Sequence, residues 1–196
     1  NPYPYPIEGD FTAEFMLWDQ NWNPEFLQPC VYDQAGKLLP SQCEKEYSTI
    51  PLEWRKRVVF HASLEPMKLN RFDCGFEAIP AKPVPTLKHN DTHFVFDAGK
   101  THVEINRATG LVDVYAVDEK DYVNKNAFAL EVFDDNYDPW YMEETSWKNK
   151  VGVFALLTPK EAQIFCHTNA PLDGVHVIES GNVRTVVEAV FGYHSS

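Results

Sequence analysis

Apolar and polar side chains alternate with a period of two along much of this chain, and no comparable helical stripe competes with that pattern. Phe11, Ala13, Phe15 and Leu17 alternate with Thr12, Glu14, Met16 and Trp18. Val58, Phe60, Ala62 and Leu64 alternate with Val59, His61 and Ser63. Val183, Thr185, Val187, Ala189 and Phe191 alternate with Arg184, Val186, Glu188 and Val190. Successive side chains of an extended segment point to opposite faces, so each run predicts a strand with one covered side. Fourteen prolines, nine glycines and 14% aromatic residues suit the same reading. Proline and glycine punctuate strands, and aromatic rings fill pleated, half-buried surfaces.

Turn signals divide these strands into two groups. Residues 1–80 read as a small β-sandwich, with a short strand at Pro29-Cys30-Val31-Tyr32, a polar strand with a solvated face from Leu39 to Glu46, and a closing strand from Leu69 to Phe76. Ala78 to Pro85 holds three prolines within six residues and opens a Pro-rich linker assigned to residues 81–92. Residues 93–196 begin with a hairpin, Phe94-Val95-Phe96 and His102-Val103-Glu104-Ile105 about the turn Asp97-Ala98-Gly99-Lys100. Further strands are predicted over 111–117, 128–133, 151–157, 163–167, 175–179 and 183–193. Thr158-Pro159-Lys160-Glu161 has the residues of a helix start but is read as a turn between strands. The closing run at 183–193 expects a partner beyond the one at 175–179, which predicts a piece of a larger protein with an unpaired edge that favours self-association.

Charge and cysteine usage restrict the function classes. A formal net charge of -12 argues against nucleic acid, whose binders cluster Lys and Arg against phosphates, and against an anionic membrane surface. No apolar run approaches the roughly 20 residues of a membrane helix. Cys30, Cys43, Cys74 and Cys166 contain no Cys-x-x-Cys pair, so zinc ribbons and dithiol redox sites are disfavoured. Cys30 and Cys166 lie among apolar residues and read as buried reduced thiols, which points to the cytoplasm.

Two loops concentrate residues that could meet a ligand. Tyr47 to Arg57 gathers positive charge beside Trp54 in an acidic chain, and Trp54 with Arg55 could lie over a carbohydrate or an acidic neighbour. Asp134, Asp135, Asp138, Glu143 and Glu144 accompany Tyr137, Trp140, Tyr141 and Trp147. Paired carboxylates at about 5–9 Å cleave glycosidic bonds, and aromatic rings stack on sugar faces, so Asp138 and Trp140 are the second pair of candidates. No metal-ligand spacing is found: His89 and His93 are four apart but follow Pro85 without a helical stripe. A Ser nucleophile elbow, a P-loop and a dinucleotide fingerprint are all missing.

The segments, in this order, resemble the C-terminal β portion of family 38 glycoside hydrolases, the retaining α-mannosidases. Phe94-Val95-Phe96 through Asn106-Arg107-Ala108-Thr109-Gly110-Leu111-Val112 looks like the opening of the family's large β-domain. Phe133-Asp134-Asp135-Asn136-Tyr137-Asp138-Pro139-Trp140 looks like its acidic segment, and Ile178-Glu179-Ser180-Gly181-Asn182-Val183-Arg184 like its Glu-x-Gly-Pro-x-Arg hairpin, with Asn182 in place of the usual Pro. Leu39-Pro40-Ser41-Gln42 and Leu64 to Phe72 resemble strands of the smaller β-domain that precedes it.

The resemblance implies an all-β chain: a small β-sandwich followed by the N-terminal part of a larger, mutarotase-like β-sandwich (a supersandwich). It also implies a parent that hydrolyses α-mannoside oligosaccharides through a glycosyl-enzyme intermediate, with zinc held in an N-terminal catalytic barrel. Nothing in this chain matches that barrel. No catalytic residue, metal ligand or cofactor is expected here, and the partners implied are the parent's barrel and helical domain. The competing expectations are a free-standing carbohydrate-binding module and a mutarotase-like epimerase.

Overall fold

A computed structural model of the chain describes residues 1–44, 53–137, 140–141 and 147–193. It is predominantly β, of sandwich type, with one helix among the described residues. Two compact units are present. One comprises Asn1–Thr86 and Ile178–Val186; the other comprises Leu87–Val177 and Val187–Ser196.

The first unit contains β1 (Ile7–Asn21), β2 (Phe26–Tyr32), β3 (Ser41–Cys43), β4 (Glu53–Leu64) and β5 (Asp73–Ile79). Antiparallel strands in the order β1-β4-β3 form one sheet, and β2 pairs with β5 in another. The alternation in β1 decides which side is covered. Phe11, Ala13 and Phe15 pack inward, and Phe11 and Ala13 stand opposite Phe60 and Val58 of β4. Val31 of β2 closes this core from the other sheet, with the Phe72 ring tilted against Phe60 at 5.0 Å between ring centres. Directly opposite residues of an antiparallel pair share a face, so the pattern on one strand fixes the register of the next.

Lys56 continues the inward row of Val58, Phe60 and Ala62 and is fully buried. Its Nζ lies 4.0 Å from the centre of the Phe26 ring, whose negative face favours a cation. On the opposite side of β4, Val59 is also buried although that face points away from the core.

In the second unit, β6 (His93–Ala98), β7 (Thr101–Asn106), β8 (Val112–Val117) and β9 (Lys120–Asp121) form an antiparallel meander. Asp118 and Glu119, both at positive φ, close the reversal from β8 to β9; a two-residue turn of that hand matches the twist of the strands. β10 (Glu131–Phe133) pairs with β11 (Lys150–Val153), and β12 (Ala155–Leu156) with β15 (Phe191–Gly192). β13 (Val175–Ser180) and β14 (Thr185–Ala189) form a hairpin whose tip is grouped with the first unit.

Three local expectations are corrected. Thr158 to Glu161 is no turn, and 163–167 is no strand: α1 spans Pro159–Cys166. Thr158 caps it, with its amide donating to Glu161 Oε2 at 2.9 Å and its hydroxyl accepting from the Glu161 amide at 3.4 Å. This reciprocal box, with Pro159 in the first turn, outweighs the short apolar run Ile164-Phe165. The strand expected over 128–133 is confined to Glu131–Phe133, because Asn126 and Phe128 adopt positive φ, which a ladder does not accommodate. In the described part of the polar strand near residue 40, the side bearing Gln42 and Glu44 is covered, while Ser41 and Cys43 on the other side are half-buried.

Candidate functional site

A cluster of charged residues in the first unit sits where the β13–β14 tip meets β3. Gln42 (7% exposed) is the pivot: its Oε1 accepts from the amides of Val183 and Arg184, each at 3.0 Å, and its Nε2 donates to the Arg184 carbonyl at 3.0 Å. One side-chain amide thereby satisfies the backbone of the 180–184 turn, which would otherwise hold buried polar groups without partners. The approach is close enough to require glycine. A Cβ on Gly181 would stand 2.5 Å from Gln42 Oε1.

Around this pivot the charges neutralise one another. Arg184 donates from Nε to Glu179 Oε2 at 2.8 Å and from Nη2 to Glu44 Oε1 at 2.9 Å. The second Glu44 oxygen lies 3.2 Å from Arg57 Nε. Glu44 and Glu179 are only 4% and 6% exposed, so these pairs are strongly felt. The Glu179 carboxylate, joined by Glu44, holds the Arg184 guanidinium even more firmly protonated than usual.

A groove of about 240 Å³ opens beside this cluster, walled by Phe26, Pro83, Pro85 and Asn182, with Gln28 and Ser41 among its polar lining. The Thr86 amide donates to Ser180 Oγ at 2.9 Å and tethers the proline segment to the hairpin tip. All of the lining residues belong to the first unit.

The second unit has a different polar centre. Asp113 is buried; its Oδ2 lies 2.9 Å from His93 Nε2 and accepts from Asn106 Nδ2 at 3.0 Å, while Oδ1 accepts from the Asn126 amide at 3.0 Å. These partners, His93 first, hold the Asp113 carboxyl down to about 2. Asn106 in turn accepts the Ala108 and Thr109 amides and shapes the turn to Gly110, whose φ is +72. Asp113 therefore knots β6, β7 and β8 at one end of the meander.

The sequence-predicted candidates are not brought into one site. Trp54 and Arg55 are consecutive on β4 and so point to opposite faces. Trp54 is half-buried on the side of Lys56 and Val58, whereas Arg55 is exposed and donates to Glu14 Oε1 at 3.3 Å. Asp138 lies outside the described residues, as do residues 45–52 of the basic loop and Glu143 and Glu144 of the acidic loop. Trp140, in the second unit, is 94% exposed. Sequence reasoning missed Gln42, Glu44 and Lys56. The available signal was that Gln42 and Glu44 share one face of a short strand, which fits a covered polar patch as well as a solvated one.

Among the described residues, no group of three or more His, Cys, Asp or Glu side chains is arranged to hold a metal ion. Histidine nitrogens meet carboxylates instead: His61 meets Asp10 and Glu8, and His102 meets Asp97 and Glu104. Within the same limits, no helix is long and apolar enough to cross a membrane. No protein-family model, curated protein or solved structure matches the chain.

Proposed function

We propose that this chain is a non-catalytic β portion of a family 38 α-mannosidase, supporting the parent's zinc-bearing catalytic barrel and walling its cleft. One observation carries the reading. The residues behind the resemblance serve as structural ties: Glu179 and Arg184 pair across their hairpin, Gln42 anchors that hairpin, and Asn106 shapes the turn of the Thr-Gly-Leu segment. A supporting domain needs such ties, whereas a hydrolase needs a carboxylate pair open to substrate. The zinc of this reading belongs to the parent's barrel, and His61 and His102 of this chain face carboxylates. Four free cysteines support a cytoplasmic setting.

Two measurements test the proposal. The purified chain should not turn over an aryl α-mannoside, with or without added zinc. Mixed with a separately produced family 38 barrel and helical domain, it should form a complex and raise that portion's thermal midpoint. Zinc-dependent turnover by the chain alone, or failure to bind the barrel portion, would overturn it. A free-standing carbohydrate-binding module is the second reading, favoured by the exposed rings of Tyr137 and Trp140.

A further inference from the structure

β1 stands at one edge of the sheet β1-β4-β3. Glu44 donates its amide to the Arg57 carbonyl and His61 donates to that of Pro40, so the odd-numbered residues of β4 turn their backbone groups toward β3. Val58, Phe60 and Ala62 therefore turn theirs toward Ala13, Phe11 and Gly9 of β1. In that phase Glu8, Asp10, Thr12, Glu14 and Met16 aim their amides and carbonyls away from the sheet, where no described residue meets them. Natural edges are commonly blunted by proline, lysine or a bulge. Ile7 to Met16 has neither residue and pairs with β4 without a break in register. Its exposed acids are already neutralised within the sheet: Glu8 and Asp10 face His61, and Glu14 faces Arg55 and Arg57. The inward row of Phe11, Ala13 and Phe15 is only partly buried.

We propose that two copies of this chain pair antiparallel along β1, about a two-fold axis at Ala13. Only the even-numbered residues present open backbone groups, so even positions must stand opposite even positions. That phase also places both inward rows on the same side of one continuous sheet. Charge then selects the register, because like charges directly opposite destabilise a pair. An axis at Thr12 sets Asp10 against the second copy's Glu14; one at Phe11 sets Glu8 against Glu14, and one at Gly9 sets Glu8 against Asp10. Axes at Glu8, Asp10 or Glu14 set an acid against itself, and axes at Ile7, Phe15 or Met16 leave little of the unbroken run paired. The axis at Ala13 avoids every one of these conflicts: Thr12 meets Glu14, Asp10 meets Met16, and Phe11 meets Phe15. The Thr12 hydroxyl can donate to the Glu14 carboxylate, the two phenyl rings form a cross-strand pair, and about eight backbone hydrogen bonds are gained. The pairing is independent of the α-mannosidase reading, since it uses residues of β1 and β4 alone.

Sedimentation equilibrium of the full 196-residue chain tests the proposal. Expected is a reversible monomer–dimer equilibrium of the 22.5 kDa chain, with a Kd between about 1 and 500 μM. Amide exchange at Asp10, Thr12 and Glu14 should slow as the dimer fills, whereas Gly9, Phe11 and Ala13 should be protected at every concentration. Thr12→Glu sets an acid against Glu14 at both symmetric positions and should weaken the dimer about tenfold or more, while Thr12→Lys supplies the opposite charge there and should hold or tighten it. The Thr12 side chain is exposed and has no hydrogen bond in the fold to lose, so either variant should keep the monomer's thermal midpoint. The exchange measurement on the unsubstituted chain decides the matter if a variant misfolds. A chain still monomeric at about 500 μM, a dimer indifferent to Thr12→Glu or equally weakened by Thr12→Lys, or a dimer in which the amides of Asp10, Thr12 and Glu14 exchange as fast as in the monomer would overturn the proposal.

Discussion

The two units hold themselves together by different means. The first buries one contiguous apolar cluster between its sheets, from Val31, Val58, Phe60 and Ala62, with Phe11, Phe15 and Phe72 packed against it. In the second, the buried apolar residues are dispersed over a meander, a helix and short ribbons: Val95, Ala116, Ala162, Val175 and Val190. Its regular geometry depends instead on polar knots such as Asp113 and on capped turns. The contrast separates two tasks. Apolar burial supplies most of the free energy that opposes chain entropy. A buried, fully bonded polar group adds less but selects one register among several.

Phe60→Ala should produce the largest effect, because it removes a ring that touches both Phe11 and Phe72. A loss of about 3–5 kcal/mol is expected for an aromatic deletion in a packed core. Urea unfolding followed through first-unit probes would measure it; a loss below about 1 kcal/mol would mean that the cluster is not the source of that unit's stability. The matching change in the second unit, Val95→Ala, should cost less than half as much.

Gln42→Ala comes next. It leaves the Val183 and Arg184 amides without their acceptor, at a cost of about 2–3 kcal/mol. Gly181→Ala should behave similarly through steric conflict with Gln42, at about 1–3 kcal/mol. Hydrogen exchange should then rise first at residues 180–184. If exchange rose equally throughout both units, the pivot would not be local.

Asp113→Asn should weaken the second unit by about 2 kcal/mol, since charge-assisted bonds to His93 and Asn106 are lost. Its pH dependence has a definite sign. A carboxyl whose folded pKa lies below its ordinary value stabilises the fold in full above that value, near 3.8, and loses the contribution as pH falls toward about 2. Acid unfolding of the second unit should therefore become less steep in the variant, whereas an unchanged profile would contradict the knot.

The smallest effect belongs to His102, which meets Asp97 at 2.6 Å and Glu104 at 3.2 Å on an exposed face. The Asp97 carboxylate, followed by Glu104, raises the imidazole pKa. Its contribution is thus complete below the ordinary value near 6.5 and fades as pH rises through the raised one. A slight decline in the second unit's stability across that window, removed by His102→Gln, is expected in a pH series of thermal midpoints.

Much of the β architecture is legible in the residues themselves. The inward row of β1, the turn at Gly99 and the meander that follows can be read from alternation and turn chemistry, because both act over a few neighbouring residues. The candidate site is less legible. Trp54 and Arg55 look like one platform in a linear reading, yet a strand sends them to opposite faces. Gln42 and Glu44 look solvated because their cover comes from elsewhere. The helix at Pro159–Cys166 lies between these cases: its capping box is written in four residues, but the adjacent apolar run favours a strand.

Sequence alone determined which side of each long strand could be buried, since a period of two follows from backbone stereochemistry and needs no partner. Tertiary structure decided what the polar residues do. Gln42 and Arg184 are 142 positions apart, and nothing local distinguishes a glutamine facing water from one that holds a distant turn. That choice depends on whether another segment arrives to replace the water, and only the folded chain brings the segment there.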